Sequence, residues 1–138
     1  MWKAFVFLLF FWMPLESLAK KTKTVNCDDL NKIKSVDSSP KTFILNDKPF
    51  TGKCESWHST GKKEDEDNFK NGKLHGTVTR WYENGQKKLV INNKDGKLHG
   101  PYTAWYEDGK KRAEANFKNG KPHGTGTGWY ENGQIECE

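Results

Sequence analysis

From Gly76 to Tyr82 (GTVTRWY) and from Lys87 to Asn93, β-branched, aromatic and apolar residues crowd into two short stretches bounded by polar turn residues, which read as two strands. Glu83-Asn84-Gly85-Gln86 separates the two stretches, and Lys94-Asp95-Gly96-Lys97 follows the second. Asn-Gly and Asp-Gly are strong hairpin signals, because a type I′ turn needs positive φ at both central residues. Such pairs recur at Asn71-Gly72, Asn84-Gly85, Asp95-Gly96, Asp108-Gly109, Asn119-Gly120 and Asn132-Gly133. Turns at that density, joining strands of about seven to nine residues, predict an antiparallel meander and disfavour helix.

The pattern repeats every 24 residues. Trp57, Trp81, Trp105 and Trp129 share that step, as do Gly52, Gly76, Gly100 and Gly124, and Gly61, Gly85, Gly109 and Gly133. Gly72, Gly96 and Gly120 form a further column, and His75, His99 and His123 another. One supersecondary unit is therefore repeated from 42 to 138. A half repeat (42–51) opens the array: Leu45 falls where Phe69 and Phe117 fall, and Phe50 where Leu74 and Leu98 fall. Units 52–75, 76–99 and 100–123 follow, then a partial one, 124–138. The expected fold is all-β: a single-layer antiparallel meander of stacked β-hairpins.

Turn position sets the expected register. With Asn84-Gly85 as a two-residue loop, Tyr82 faces Lys87, Trp81 faces Lys88 and Val78 faces Ile91. One face then carries Thr77, Thr79, Trp81, Lys88 and Val90. The other carries Val78, Tyr82, Leu89 and Ile91, with Tyr102, Tyr106, Ala113, Ala115, Phe69 and Phe117 from neighbouring units, and is the more continuously apolar. Trp81–Lys88 and Trp105–Arg112 are the expected cross-strand cation–π pairs.

Composition agrees with a thin array. Only 33% of the 138 residues are hydrophobic, many of them in the first fifteen positions. Stacked repeats that bury apolar groups against their neighbours need no thick core. Residues 1–19 have the form of a secretory signal peptide: Lys3, then the apolar run AFVFLLFFWM, then Ser17-Leu18-Ala19 ahead of cleavage before Lys20. The apolar run is short of the ~20 residues that span a bilayer. The expected location is thus periplasmic or extracellular. Residues 20–41 are a polar linker or cap, where Leu30, Ile33 and Val36 predict a short helix from Asp28 to Val36 with Asn26 or Asp28 as N-cap. Net charge is +5 and unchanged by loss of residues 1–19, which removes Lys3 and Glu16. The charge is interspersed, so nucleic acid is not an expected partner. Lys20, Lys21 and Lys23 could add weak attraction to an anionic surface.

Three cysteines in an exported chain leave one unpaired or bonded to another molecule. Pairing of Cys27 with Cys54 would tie the N-terminal segment to the first unit and contribute on the order of 3–4 kcal/mol by loop closure. Cys54–Cys137 would join opposite ends of an elongated array.

Catalytic or metal chemistry finds little support. Equivalent histidines lie two strands apart, ~9.6 Å, or roughly 12 Å with the slant of the turns. Zinc-bound imidazole nitrogens sit ~2.0–2.1 Å from the metal, so the column reads as strand-start packing beside a glycine. His58 stands where later units have tyrosine. In Glu64-Asp65-Glu66-Asp67, Glu64 and Glu66 share one face and Asp65 and Asp67 the other. With no wrapping loop for calcium, the run reads as a solvated strand at an edge of the array. No cofactor, metal or catalytic residue is expected.

The aromatic ladder is the best candidate site: Trp57, Trp81, Trp105 and Trp129, with Tyr82, Tyr106 and Tyr130, Lys88 and Arg112. Large aromatics brace a thin sheet, and they also concentrate in interfaces. The segments FKNGKLHGTVTRWYENGQKK and FKNGKPHGTGTGWYENGQ resemble the MORN-repeat family, more closely its bacterial variant as found in YwqK-type antitoxin-like proteins. The resemblance covers residues 42–138 and implies a single-layer sheet of stacked hairpins that serves as an interaction or membrane-association module. The expected function is non-catalytic binding of a protein partner, with attachment to a membrane or cell-wall surface as the alternative. An exposed end strand, Ile135–Glu138, offers a second route to binding by strand addition.

Overall fold

The computed structural model describes residues 23–30, 42–46 and 48–138. The expected signal peptide, Lys20, Lys21 and most of the expected 28–36 helix lie outside the described residues. In chain order the elements are β1 (Thr24–Asn26), α1 (Cys27–Leu30), β2 (Ile44–Leu45), β3 (Lys48–Pro49), β4 (Gly52–Trp57), β5 (Lys63–Lys70), β6 (Lys73–Trp81) and β7 (Lys87–Lys94). They continue with β8 (Lys97–Trp105), β9 (Lys111–Lys118), β10 (Lys121–Pro122), β11 (Thr127–Trp129) and β12 (Ile135–Cys137). The fold is an antiparallel meander in one sheet, ordered β1-β4-β5-β6-β7-β8-β9-β11-β12, with β10 also paired to β9. Strands β2 and β3 form a separate small hairpin.

The turns are of two kinds, not one. At Asn71-Gly72, Asp95-Gly96 and Asn119-Gly120 both residues have positive φ, and Lys70↔Lys73, Lys94↔Lys97 and Lys118↔Lys121 pair across them. These are the expected two-residue turns. At Asn84-Gly85, Asp108-Gly109 and Asn132-Gly133 only the glycine is positive. Here Gly85 N–H donates to the Tyr82 carbonyl (2.8 Å) and Tyr82 N–H to the Gln86 carbonyl (2.9 Å), and the later units repeat both bonds. A side-chain bond accompanies this loop in the later units, although the first unit closes the same loop with Thr60 at that position (Gly61 N–H to the His58 carbonyl, 2.8 Å). Asn84, Asp108 and Asn132 each accept, through Oδ1, the N–H two residues on, at 2.8–2.9 Å, which holds that residue in a side-chain-closed turn.

The longer loop shifts the register. Val78 faces Ile91 as expected, but Trp81 pairs with Lys87 rather than Lys88, with a bulge between Arg80 and Trp81. Trp57↔Lys63 and Trp105↔Lys111 repeat the arrangement. A second irregularity explains the His-Gly column. Between Phe69↔Leu74 and Asp67↔Val78, one residue of β5 opposes three of β6, His75-Gly76-Thr77. Asn68 Nδ2 plugs the gap by donating to the Thr77 carbonyl (2.7 Å). Gly76 and Gly100 have φ of 95° and 105° there, a conformation that costs other residues a steric clash.

The N-terminal segment is more than a linker. β1 joins the sheet parallel to β4, with Val25 opposite Cys54, and a disulfide joins Cys27 to Cys54. Of the expected helix, only the single turn Cys27–Leu30 falls within the described residues, directly after Asn26. The compact core among the described residues lies here: Phe50, Cys54 and Phe69, packed by Val25, Cys27, Phe43, Leu45 and Leu74. The half repeat is one step out of phase. Ile44 pairs with Pro49 and Leu45 with Lys48, so Phe43, not Leu45, faces Phe50 (Phe50 N to Phe43 O, 3.0 Å). The Phe43 ring lies 4.9 Å from that of Phe69.

Candidate binding face

Strand alternation sorts side chains onto two faces. One carries Cys54, Asp67, Val78, Ile91, Tyr102 and Ala115 in register across the sheet. Its apolar character in later units gives way in the first to a charged cluster. Arg80 donates from Nη1 and Nη2 to Asp67, and its Nε lies 2.8 Å from Asp65. Burial pushes the Asp65 carboxyl up against the lowering effect of Arg80. Beside it a depression of about 270 Å³ is lined by His58, Glu64, Asp65, Arg80, Trp81, Lys88 and Leu89.

The acidic run is therefore not an edge strand. β5 lies between β4 and β6, and its carboxylates are matched from both faces. Glu66 accepts from Lys53 (2.9 Å) and Lys63 (2.8 Å), and Lys63 also donates to Glu55 (2.8 Å). The Lys63 hydrogen bond, more than any other influence, holds Glu66 at about 2. The Glu55 and Glu66 bonds raise Lys63. Among the described residues no group of three or more His, Cys, Asp or Glu could hold a metal ion.

The other face carries the tryptophans. Because of the bulge, Lys63, Lys87 and Lys111 stand between them, giving the row Trp57–Lys63–Trp81–Lys87–Trp105–Lys111–Trp129. Each lysine pairs in register with the tryptophan before it. Two also cap the tryptophan after it: Lys63 Nζ lies 5.6 Å from the Trp81 ring centre and Lys111 Nζ 5.9 Å from that of Trp129. These contacts replace the expected Trp81–Lys88 and Trp105–Arg112 pairs. Lys88 lies instead over Tyr82 (5.3 Å), and Arg112 is exposed with no ring contact among the described residues. Sequence reasoning missed Lys63, Lys87 and Lys111, although they follow the same 24-residue step. Trp57 is 47% exposed; Trp81, Trp105 and Trp129 are half-buried.

The tyrosines have another task. Tyr82 Oη donates to the Trp105 carbonyl (2.8 Å) and Tyr106 Oη to the Trp129 carbonyl (2.7 Å). His58, at the equivalent place, has Nε2 3.1 Å from the Trp81 carbonyl oxygen. Turns are stitched likewise: Asn84 Nδ2 donates to the Glu107 carbonyl (2.7 Å) and Lys110 Nζ to that of Glu131 (2.9 Å). Tyr82 and Tyr106 thus hold one unit to the next, while Tyr130 is 48% exposed. The histidines join this stitching. His75 Nδ1 lies 3.3 Å from Asp95 Oδ1 and His99 Nδ1 3.5 Å from the Asn119 amide, whereas the His123 side chain is exposed. Cys137 is an exposed free thiol.

An open sheet of identical hairpins, stitched laterally and bearing one aromatic row, defines a β-repeat array. The model of the MORN repeat variant matches residues 50–71, 74–92, 98–119 and 122–138, more than half of the chain, and the protein belongs to that family. Repeats of this family are commonly binding modules. No curated protein and no solved structure gives a significant match.

Proposed function

We propose that this is an exported, non-catalytic binding protein whose Trp–Lys face captures another protein. The observation that carries this reading is the unbroken row from Trp57 to Trp129 on one face of a single-layer sheet. Tryptophan and long cationic side chains held rigidly by a scaffold supply contact area at little conformational cost. The Cys27–Cys54 disulfide supports export, since such bonds persist in oxidising compartments. Neutralisation of a toxin-like partner is one form this activity would take, in keeping with the antitoxin-like resemblance.

A photo-crosslinker placed at Thr103, on the Trp face, is expected to give a discrete protein adduct in the native cell envelope. The same probe at Tyr102, on the opposite face, is expected to give none. Joint Trp81→Ala and Trp105→Ala replacement should abolish the Thr103 adduct while circular dichroism stays unchanged. An adduct that survives the double replacement, or forms equally from Tyr102, would overturn the reading. Salt-sensitive retention on liposomes or cell-wall polymer without a protein adduct would favour surface attachment instead. Export is checked by the mass of the protein in the extracytoplasmic fraction, which should begin at Lys20.

A further inference from the structure

The Trp–Lys row has a repeat length, and that length selects among partner conformations. At the tryptophan end the bulges remove the slant expected of the turns, since Ser56 faces Asp65 and Asp65 faces Arg80, so successive tryptophans are two strands apart in line, roughly 9.6 Å at ordinary strand spacing. A partner lying along the row keeps the same contact at every unit only if its own period matches. An extended strand returns the same side every ~6.7 Å, and two turns of α-helix advance ~10.8 Å. A polyproline II segment advances ~9.3 Å per three-residue turn. Over the three steps from Trp57 to Trp129 the mismatch is about 1 Å for polyproline II and about 3.6 Å for the helix. The strand falls out of phase at once.

Charge adds a second selection. Lys63 and Lys111 are bonded to Glu55, Glu66 and Glu114. Lys87, between Trp81 and Trp105, is exposed and has no acidic partner among the described residues. The neighbouring side chains on this face, Thr79, Val90 and Thr103, are uncharged. The centre of the row therefore presents one unmatched ammonium flanked by two indoles. We propose that the Trp81–Lys87–Trp105 segment binds a polyproline II stretch of a partner protein carrying proline or another apolar residue once per turn and an acidic residue between. Prolines meet the indole faces, as in other aromatic-lined polyproline sites, and the carboxylate meets Lys87. The stiffness of the ligand limits the entropy lost on binding. This inference rests on the Trp face being the binding surface.

The test is fluorescence anisotropy of labelled (Pro-Pro-Glu)5 titrated with the full chain. Equally charged but flexible (Gly-Ser-Glu)5 and charge-reversed (Pro-Pro-Lys)5 serve as comparisons. The expected result is binding of (Pro-Pro-Glu)5 about tenfold or more tighter than either comparison peptide. Trp105→Ala should weaken it by about tenfold or more, and Lys87→Gln by about threefold. Lys87→Glu should shift preference towards (Pro-Pro-Lys)5, which a purely structural role for Lys87 would not produce. Equal binding of the flexible peptide, no binding of any peptide, or indifference to Trp105→Ala overturns the proposal. So does stronger binding of polygalacturonate, which would assign the face to an acidic glycan. A Thr103 adduct that depends on Trp81 and Trp105, alongside failure of (Pro-Pro-Glu)5, would sink this inference and leave the binding face standing.

Discussion

Phe69 and Phe117 occupy the same place in the repeat, yet Phe69 is 5% exposed and Phe117 is only half-buried. Phe69 is enclosed by Phe43, Phe50 and Leu74, because the β2–β3 hairpin covers one face of the sheet at the first unit. Phe117 has Tyr102 beside it, 5.9 Å between ring centres, and no second layer among the described residues. The first unit is thus a small two-sided domain closed by a disulfide, with matched charges on both faces. The later units are a single layer held by bonds passed sideways from each hairpin to the next. A layer without an interior leaves both its faces free for other work, and its stability is a sum of nearest-neighbour terms.

The largest expected effect separates the two regions directly. Phe69→Ala should lose about 3–5 kcal/mol in denaturant unfolding, whereas Phe117→Ala, losing half-exposed area, should cost about 1 kcal/mol. Equal losses would break the distinction. Next comes the disulfide: Cys27→Ser with Cys54→Ser should cost on the order of 3–4 kcal/mol for the loop of 27 residues it closes. Hydrogen exchange of that variant should rise first in β1, β4 and β5, with β8 and β9 following only at global unfolding. Uniform acceleration would show that the first unit does not anchor the array separately.

Much of this contrast was legible in the chain and some was not. The 24-residue step and the Asn-Gly and Asp-Gly pairs specify hairpins stacked in sequence order, because turn chemistry and strand alternation agree. They do not reveal that Asn84 and Asp108 close their own turns through Oδ1 while Asn71 and Asp95 do not. The longer loop, present also at Thr60-Gly61 where no such side chain stands, comes with a bulge that moves the cation beside each tryptophan from Lys88 and Arg112 to Lys87 and Lys111. Burial of the acidic run was hidden for another reason. Its neutralising partners, Lys53 and Arg80, come from adjacent strands and depend on register. The parallel pairing of β1 has no local signal, since three residues of β-branched and polar character are placed by long-range contacts, the Cys27–Cys54 link and backbone bonds such as Lys53 N–H to the Lys23 carbonyl (2.8 Å).

A smaller effect tests the lateral bonding. Tyr106→Phe removes the donor to the Trp129 carbonyl and should cost about 1 kcal/mol. Tyr130→Phe, at an exposed and equivalent position, should stay within about 0.5 kcal/mol. Matching losses would mean that the hydroxyl acts through solvation of the ring and not as a stitch between units.

The smallest expected effect is a pH dependence seated in the first unit. Glu66 is held at about 2, below its ordinary 4.5, chiefly by the Lys63 hydrogen bond. A depressed carboxyl contributes stability that is complete above the unfolded value and is lost as pH falls from about 4.5 through about 2. Lys63 is raised first by its Glu55 hydrogen bond and then by the Glu66 contact, so its contribution is present below its ordinary 10.5 and lost as pH rises past the raised value. Between those limits the network is intact. Glu66→Gln should therefore lower stability at pH 7 by less than about 1 kcal/mol given partial solvent exposure, and should flatten the decline of the melting temperature between pH 4.5 and pH 2. The Trp–Lys row is continuous with this network through Lys63, which bonds Glu66 and also caps Trp81. Trp81 fluorescence in a variant lacking the other tryptophans should then shift over the same acid range as the melting temperature. Unchanged Trp81 fluorescence across that range would mean that Lys63 keeps its place over the indole without Glu66, and that the first unit's charges and the binding face are independent.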